Sequence, residues 1–86
     1  MGSSIMKVDT ISISGTIETV DRDFRFMVVN KMKIMIPPGT KIMDEKGYFL
    51  SQEHLILGES VIVEAIKVSK DLFAQKIILK SLSKKR

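Results

Sequence analysis

The sequence predicts an all-β fold, a small closed or nearly closed barrel of five strands. Three observations predict it. Apolar residues recur with a period of two along most of the 86-residue chain. The apolar runs are rich in valine and isoleucine, and short turns of Gly, Pro, Asn, Asp and Ser divide them. No run carries the longer period of an amphipathic helix, so a helical fold is excluded. A sheet this short must close, or nearly close, to hide its edges.

The first strand comes from Ile11, Ile13, Gly15 and Ile17, alternating with Ser12, Ser14, Thr16 and Glu18. Gly15 in its middle predicts a bulge or bend. Val20 falls out of phase with Ile17, which puts a second irregularity or the strand end near Glu18–Thr19. Asp21-Arg22-Asp23 makes a polar turn. Phe24–Val29 and Met32–Ile36 then form a hairpin about an Asn-led turn. A two-residue loop, Asn30-Lys31, sets Met27, Val29, Met32, Ile34 and Ile36 on one face. A three-residue loop, Val29-Asn30-Lys31, aligns Phe24, Phe26, Val28, Met32, Ile34 and Ile36 instead. The second register is favoured because it buries both phenylalanines and leaves Arg25, Lys33 and Met35 outside.

Pro37-Pro38 ends the third strand, since neither residue donates a backbone hydrogen bond. Thr40–Met43 is a brief further strand, and Asp44–Gly47 a loop. Ser51-Gln52-Glu53-His54 reads as one helical turn capped by Ser51. After Gly58-Glu59-Ser60 the fourth long strand, Val61–Val68, turns Val61, Val63 and Ala65 inward. Ser69-Lys70-Asp71 leads into the last strand, Leu72–Leu82. Five strands, a bent first one and one short helical turn or loop insertion between strands 3 and 4 give the order of an OB-like barrel. A six-stranded SH3-like barrel is the main rival.

Composition limits the chemistry. The chain has no cysteine, which removes disulfides, Cys-ligated zinc and thiol catalysis together. The formal charge is +4. Residues 1–79 carry ten basic and ten acidic side chains, so the whole excess lies in Lys80, Lys84, Lys85 and Arg86. Residues 1–4 read as a vector-derived or disordered start, 5–82 as the single domain, and 83–86 as a basic frayed tail. No apolar run reaches the roughly 20 residues of a membrane helix. Localisation stays open: cytoplasmic as the chain stands, exported if a leader has been removed.

Two resemblances follow from particular segments. Gly15-Thr16-Ile17-Glu18-Thr19-Val20-Asp21, Gly39-Thr40-Lys41-Ile42, Leu57-Gly58-Glu59-Ser60-Val61-Ile62-Val63 and Ala74-Gln75-Lys76-Ile77 resemble a bacterial domain-of-unknown-function family. That family shows a Gly-x-Val-x-x-Val-Asp strand, a Thr-x-Ile segment and a Leu-x-x-Gly-x-x-Val-x-Val strand. The resemblance covers about residues 11–80 and implies an OB-like barrel, with no activity attached. Gly15-Thr16-Ile17, Phe24-Arg25-Phe26 and Leu57–Val63 are also similar to bacterial translation initiation factor 1, which implies RNA binding. That family's basic loop is replaced here by Asp44-Glu45-Lys46-Gly47-Tyr48-Phe49.

The residues bear on three kinds of site. Single-stranded nucleic acid needs aromatics for bases and cations for phosphates. Arg22, Arg25, Phe26, Lys31, Lys33, Lys41 and Tyr48 (with Phe49 beside it) are the candidates, set against the plainer reading of buried phenylalanine and solvated charge. Under the favoured register Met27, Val29, Met35, Ile62, Ile66 and Ile78 lie on the face opposite the core, and Met27, Val29 and Met35 form a candidate protein interface or homodimer seam. Catalytic and metal sites are not expected: His54 is the only histidine, the five glycines are scattered, and Asp21 and Asp23 read as turn chemistry. The expected protein is therefore a non-enzymatic binding or assembly module without a cofactor. Its ligand or partner protein is expected on the face of strands 2 and 3, with single-stranded nucleic acid as the alternative.

Overall fold

The computed structural model describes residues 9–80. The proposed start at 1–4 and tail at 83–86 lie outside the described residues. Six strands and one 3-10 turn follow in order: β1 Asp9–Val20, β2 Phe26–Val29, β3 Met32–Met35, β4 Lys41–Asp44, the turn Gln52–His54, β5 Ser60–Val68 and β6 Asp71–Leu79. The sheet order is β3-β2-β1-β5-β6, and the parallel pair Met35↔Phe73 joins β3 back to β6. Five strands thus close the barrel expected from the sequence. The brief strand after Pro37-Pro38 is the sixth, β4, laid parallel against β6 from Lys41↔Lys76 to Asp44↔Leu79.

β1 is long because it serves two neighbours in succession. Asp9–Thr16 pair with β5, and Ile17, Thr19 and Val20 pair with β2. The register slips between Ile17 and Thr19, leaving Glu18 as the extra residue, as the phase change before Val20 predicts. Both oxygens of the Glu18 carboxylate then lie 3.2 Å from the Lys31 N–H at the hairpin tip. The tip passes close to β1 at Gly15, where the β5 ladder continues without the expected bulge. A Cβ there would stand 3.3 Å from Val29 Cγ1 and 3.4 Å from Asn30 Cβ.

The hairpin register corrects the favoured expectation. Val29 pairs with Met32 across a two-residue loop, and Met27 pairs with Ile34. Asn30 and Lys31 both have positive φ, 53° and 64°, the signature of a type I′ turn, whose twist matches that of the strands it joins. A three-residue loop relies on a left-handed position best served by glycine, and none is present. In consequence Met27, Val29 and Ile34 are fully buried, and Met27 and Val29 cannot serve as an interface. Phe26 and Val28 turn outward, half-buried. Phe24, at φ 58°, belongs to the turn before β2 and packs against the core from there.

The interior is built from Ile13, Ile17, Met27, Val29, Ile34, Ile36, Ile42, Leu55, Val61, Val63, Ala65, Ala74, Ile77 and Leu79, with no buried polar side chain among the described residues. Val61, Val63 and Ala65 point inward as expected. Leu55 and Leu50, in the segment between β4 and β5, complete the core. Ser51 precedes the 3-10 turn without capping it through its side chain; its Oγ lies 3.4 Å from His54 Nδ1 instead.

Candidate functional site

The closing pair Met35↔Phe73 belongs to a row of side chains on the outer wall. Phe26 on β2 pairs with Met35 on β3, Met35 with Phe73 on β6, and Phe73 with Ile66 on β5. Thr10 on β1 ends the row beyond Ile66. Each of these residues neighbours an inward residue in sequence, so all four apolar side chains stand outside, where each is half-buried. Three strand spacings make the row roughly 14 Å long. Period-two alternation shows that such residues face outward; only the register shows that they align.

A second outer row runs below it. Lys41 lies opposite Lys76, Lys76 opposite Glu64, and Glu64 opposite Ser12. The Lys76 ammonium is 3.8 Å from the Glu64 carboxylate. Between the rows β6 bulges: Glu64 pairs with Lys76 but Ala65 with Ala74, leaving Gln75 unmatched. The Pro37-Pro38-Gly39 loop is anchored beside this bulge by the Thr40 hydroxyl, which lies 2.8 Å from the Pro37 carbonyl and 2.9 Å from that of Ala74. Together these residues enclose a cleft of about 500 Å³ with Ile66 and Phe73 in its wall.

The basic candidates do not form one patch. Arg22 is exposed in the β1–β2 turn. Arg25 is engaged there, its Nε 2.8 Å from the Asp21 carboxylate and Nη2 3.8 Å from Asp23. Asp21 also accepts from the backbone N–H groups of Asp23 and Arg25. The Arg25 side chain and amide are the main causes that bring the Asp21 carboxyl down to about 2, and the same contact raises Arg25. Lys31 sits at the hairpin tip. Lys41 lies in the cleft with Lys76 and Glu64. Lys33 alone meets an aromatic candidate, its ammonium 4.5 Å from the centre of the Phe26 ring.

Tyr48 and Phe49 are highly exposed, at 68% and 70%, in the reversal after β4 rather than on the hairpin. The Asp44 N–H donates to the Tyr48 carbonyl and the Leu50 N–H to that of Ile42, which covers the outer edge of β4. Met35 is the one residue of the expected interface that faces outward. The sequence places Ile66 on the outer face but does not align it with Met35, and it does not single out Phe73, because both come from the other half of the chain. Among the described residues no group of three or more His, Cys, Asp or Glu side chains converges as a metal site would need, and no helix is long and apolar enough to cross a membrane.

The fold defines a class: a small five-stranded OB-like β-barrel with one added strand. Comparison with solved structures agrees. The chain is similar to apo-CusF from Escherichia coli, residues 6–88, at a TM-score of 0.69 and 16% identity, over 94% of this chain and 99% of that one. At that identity the likeness is one of fold. No family model matches the chain, and no curated protein matches it in sequence. Neither the bacterial domain family nor translation initiation factor 1 gains support from sequence.

Proposed function

We propose that the chain is a non-enzymatic binding and assembly module that docks a partner protein on the outer wall of β2 and β3, across the seam onto β6 and β5. The observation that carries this reading is the aligned row Phe26, Met35, Phe73 and Ile66. Four apolar side chains side by side on the outside of a barrel gain nothing further from the core, whereas a partner removes them from water. Methionine in the row adapts to an imperfectly matched surface. The partner taken here is a second copy. Residues 9–80 carry ten basic and ten acidic side chains, and the chain's +4 comes from Lys7, Lys84, Lys85 and Arg86, so the described barrel itself adds no net repulsion between copies.

The row is short and half-covered, so the association is weak and concentration-dependent. Light scattering over a range of concentrations tests it. The expected result is a rise from monomer towards dimer mass that Phe73→Glu abolishes without unfolding the barrel. A strict monomer at every concentration removes the second copy as the partner.

One contact favours a second reading, single-stranded nucleic acid. Lys33 over Phe26 places a cation beside an aromatic on the same wall, with Phe73 two strands away. Titration with single-stranded RNA and DNA at low and high salt decides between them. Binding that weakens steeply with salt transfers the wall to nucleic acid; absence of binding at low salt ends that reading.

A further inference from the structure

A different opening of the barrel carries a site of its own. β2 and β3 are only four residues long, and their tip reaches β1 at Ile17 and Gly15. The first half of β1, Asp9 to Ser14, therefore has a ladder partner on its β5 side alone. On the far side of the gap β3 meets β6 through the single pair Met35↔Phe73, so no ladder joins Met32 and Lys33 to Asp71 and Leu72. The result is a cleft of about 400 Å³ at the mouth of the barrel. Its lining has two parts. Ile11, Met32 and Leu72, half-buried against the core, supply an apolar floor. Lys33, Lys67 and Lys70 stand around it with one carboxylate, Asp71.

The charge at this mouth stands out from the rest of the barrel. Residues 9–80 balance ten cations against ten anions, yet three lysines and one aspartate line this cleft, and even with Asp9, opposite Lys67 across the β1–β5 ladder, a local excess of +1 remains. None of the three lies within 4.0 Å of a carboxylate among the described residues, where the ion pairs are Arg25 with Asp21 and Asp23, and Lys76 with Glu64. Lys33 is additionally held over Phe26. The β5–β6 turn brings Lys67 and Lys70 to the mouth through a backbone with positive φ at Ser69, 58°. An excess of cations outside any close ion pair, beside a half-covered apolar floor, suits a ligand that offers both complements at once.

We infer that the mouth binds a small amphipathic organic anion, its apolar body on Ile11, Met32 and Leu72 and its anionic group between Lys33, Lys67 and Lys70. A single-chain lipid, a free alkyl phosphate or carboxylate and a mononucleotide share this chemistry. The site adjoins the outer row through Lys33, whose ammonium lies over Phe26, but its floor and its other two lysines lie off that row and need no partner there.

The test is an amide-resolved NMR titration of the full chain with hexyl phosphate. Parallel titrations use inorganic phosphate, hexanol, hexanoate and a nucleoside 5′-monophosphate. The expected result is shifts confined to Ile11, Met32, Lys33, Lys67–Leu72 and their neighbours, with hexyl phosphate binding at least about tenfold tighter than phosphate or hexanol. Hexanoate matching hexyl phosphate assigns the site to fatty carboxylates; the mononucleotide exceeding both assigns it to nucleotides. The double variant Lys67→Ala/Lys70→Ala should keep the urea midpoint of the parent and lose about tenfold in affinity. Equal binding of phosphate and hexyl phosphate overturns the inference, because the lysines then act as a diffuse counterion site. Shifts elsewhere on the barrel, no shifts at all, or unchanged affinity in the double variant overturn it too.

Discussion

Lys33 aside, the two faces of the β2–β3 hairpin have nearly the same composition and opposite roles. Met27, Val29 and Ile34 look inward and are inaccessible to solvent. Phe26, Val28 and Met35 look outward and are half-buried. Hydrophobicity does not separate the two sets, since the outer one includes the largest side chain. The difference lies in the two-residue tip. Because side chains alternate, the loop length at Asn30-Lys31 decides which set enters the barrel. What each face does is thus set by backbone conformation at residues that touch neither.

Truncating matched residues on the two faces is the strongest way to break this contrast. Met27→Ala should cost about 2–5 kcal/mol in a urea melt, through lost burial and an unfilled cavity. Met35→Ala on the outer wall should cost under about 1.5 kcal/mol, because its surroundings adjust and solvent is near. Equal losses would mean that the faces are assigned wrongly. A smaller effect is expected at the tip. Lys31 holds a left-handed conformation that glycine adopts without strain, so Lys31→Gly should raise stability by up to about 1 kcal/mol. A loss of stability there would argue that the Glu18 contact with the Lys31 amide depends on the lysine side chain.

The smallest effect belongs to the turn that leads into the hairpin, and it shows only in acid. The folded-state carboxyl of Asp21 titrates at about 2, below its unfolded value. Its contribution is therefore complete above the unfolded value and is lost as the pH falls through about 2. Thermal melts of Asp21→Asn should lie slightly below the parent near neutrality and converge with it in strong acid. A gap of constant size across that range would assign the role of Asp21 to its turn geometry instead of its charge.

The fold was legible where a single segment carries its own signal. The alternation in β1, the phase slip before Val20, the inward set Val61, Val63 and Ala65, and the stop at Pro37-Pro38 are local, and the barrel follows from them. The expected hairpin register fails because turn chemistry at Asn30-Lys31 outweighs the burial of Phe24 and Phe26. The lack of a glycine for a three-residue loop was the signal against it. The site was less legible for a different reason. Phe26 and Phe73 are 47 positions apart in sequence, and only closure of the sheet aligns them. The basic stretch from Arg22 to Lys41 shows the reverse: residues close in sequence were dispersed, with Arg25 absorbed by Asp21 and Lys41 carried to β4.

Barrel closure by the lone pair Met35↔Phe73 also has a kinetic meaning. The β1–β5–β6 pairings include a local hairpin and an extended ladder, whereas that seam joins residues far apart in the chain for very little hydrogen bonding. Its loop-closure entropy is large and its reward small, so the seam forms late in folding and opens early under stress. The seam runs through the middle of the row formed by Phe26, Met35, Phe73 and Ile66. A partner seated across them would act as a clasp, raising the barrier to unfolding by holding together the two strands that the chain itself joins most weakly.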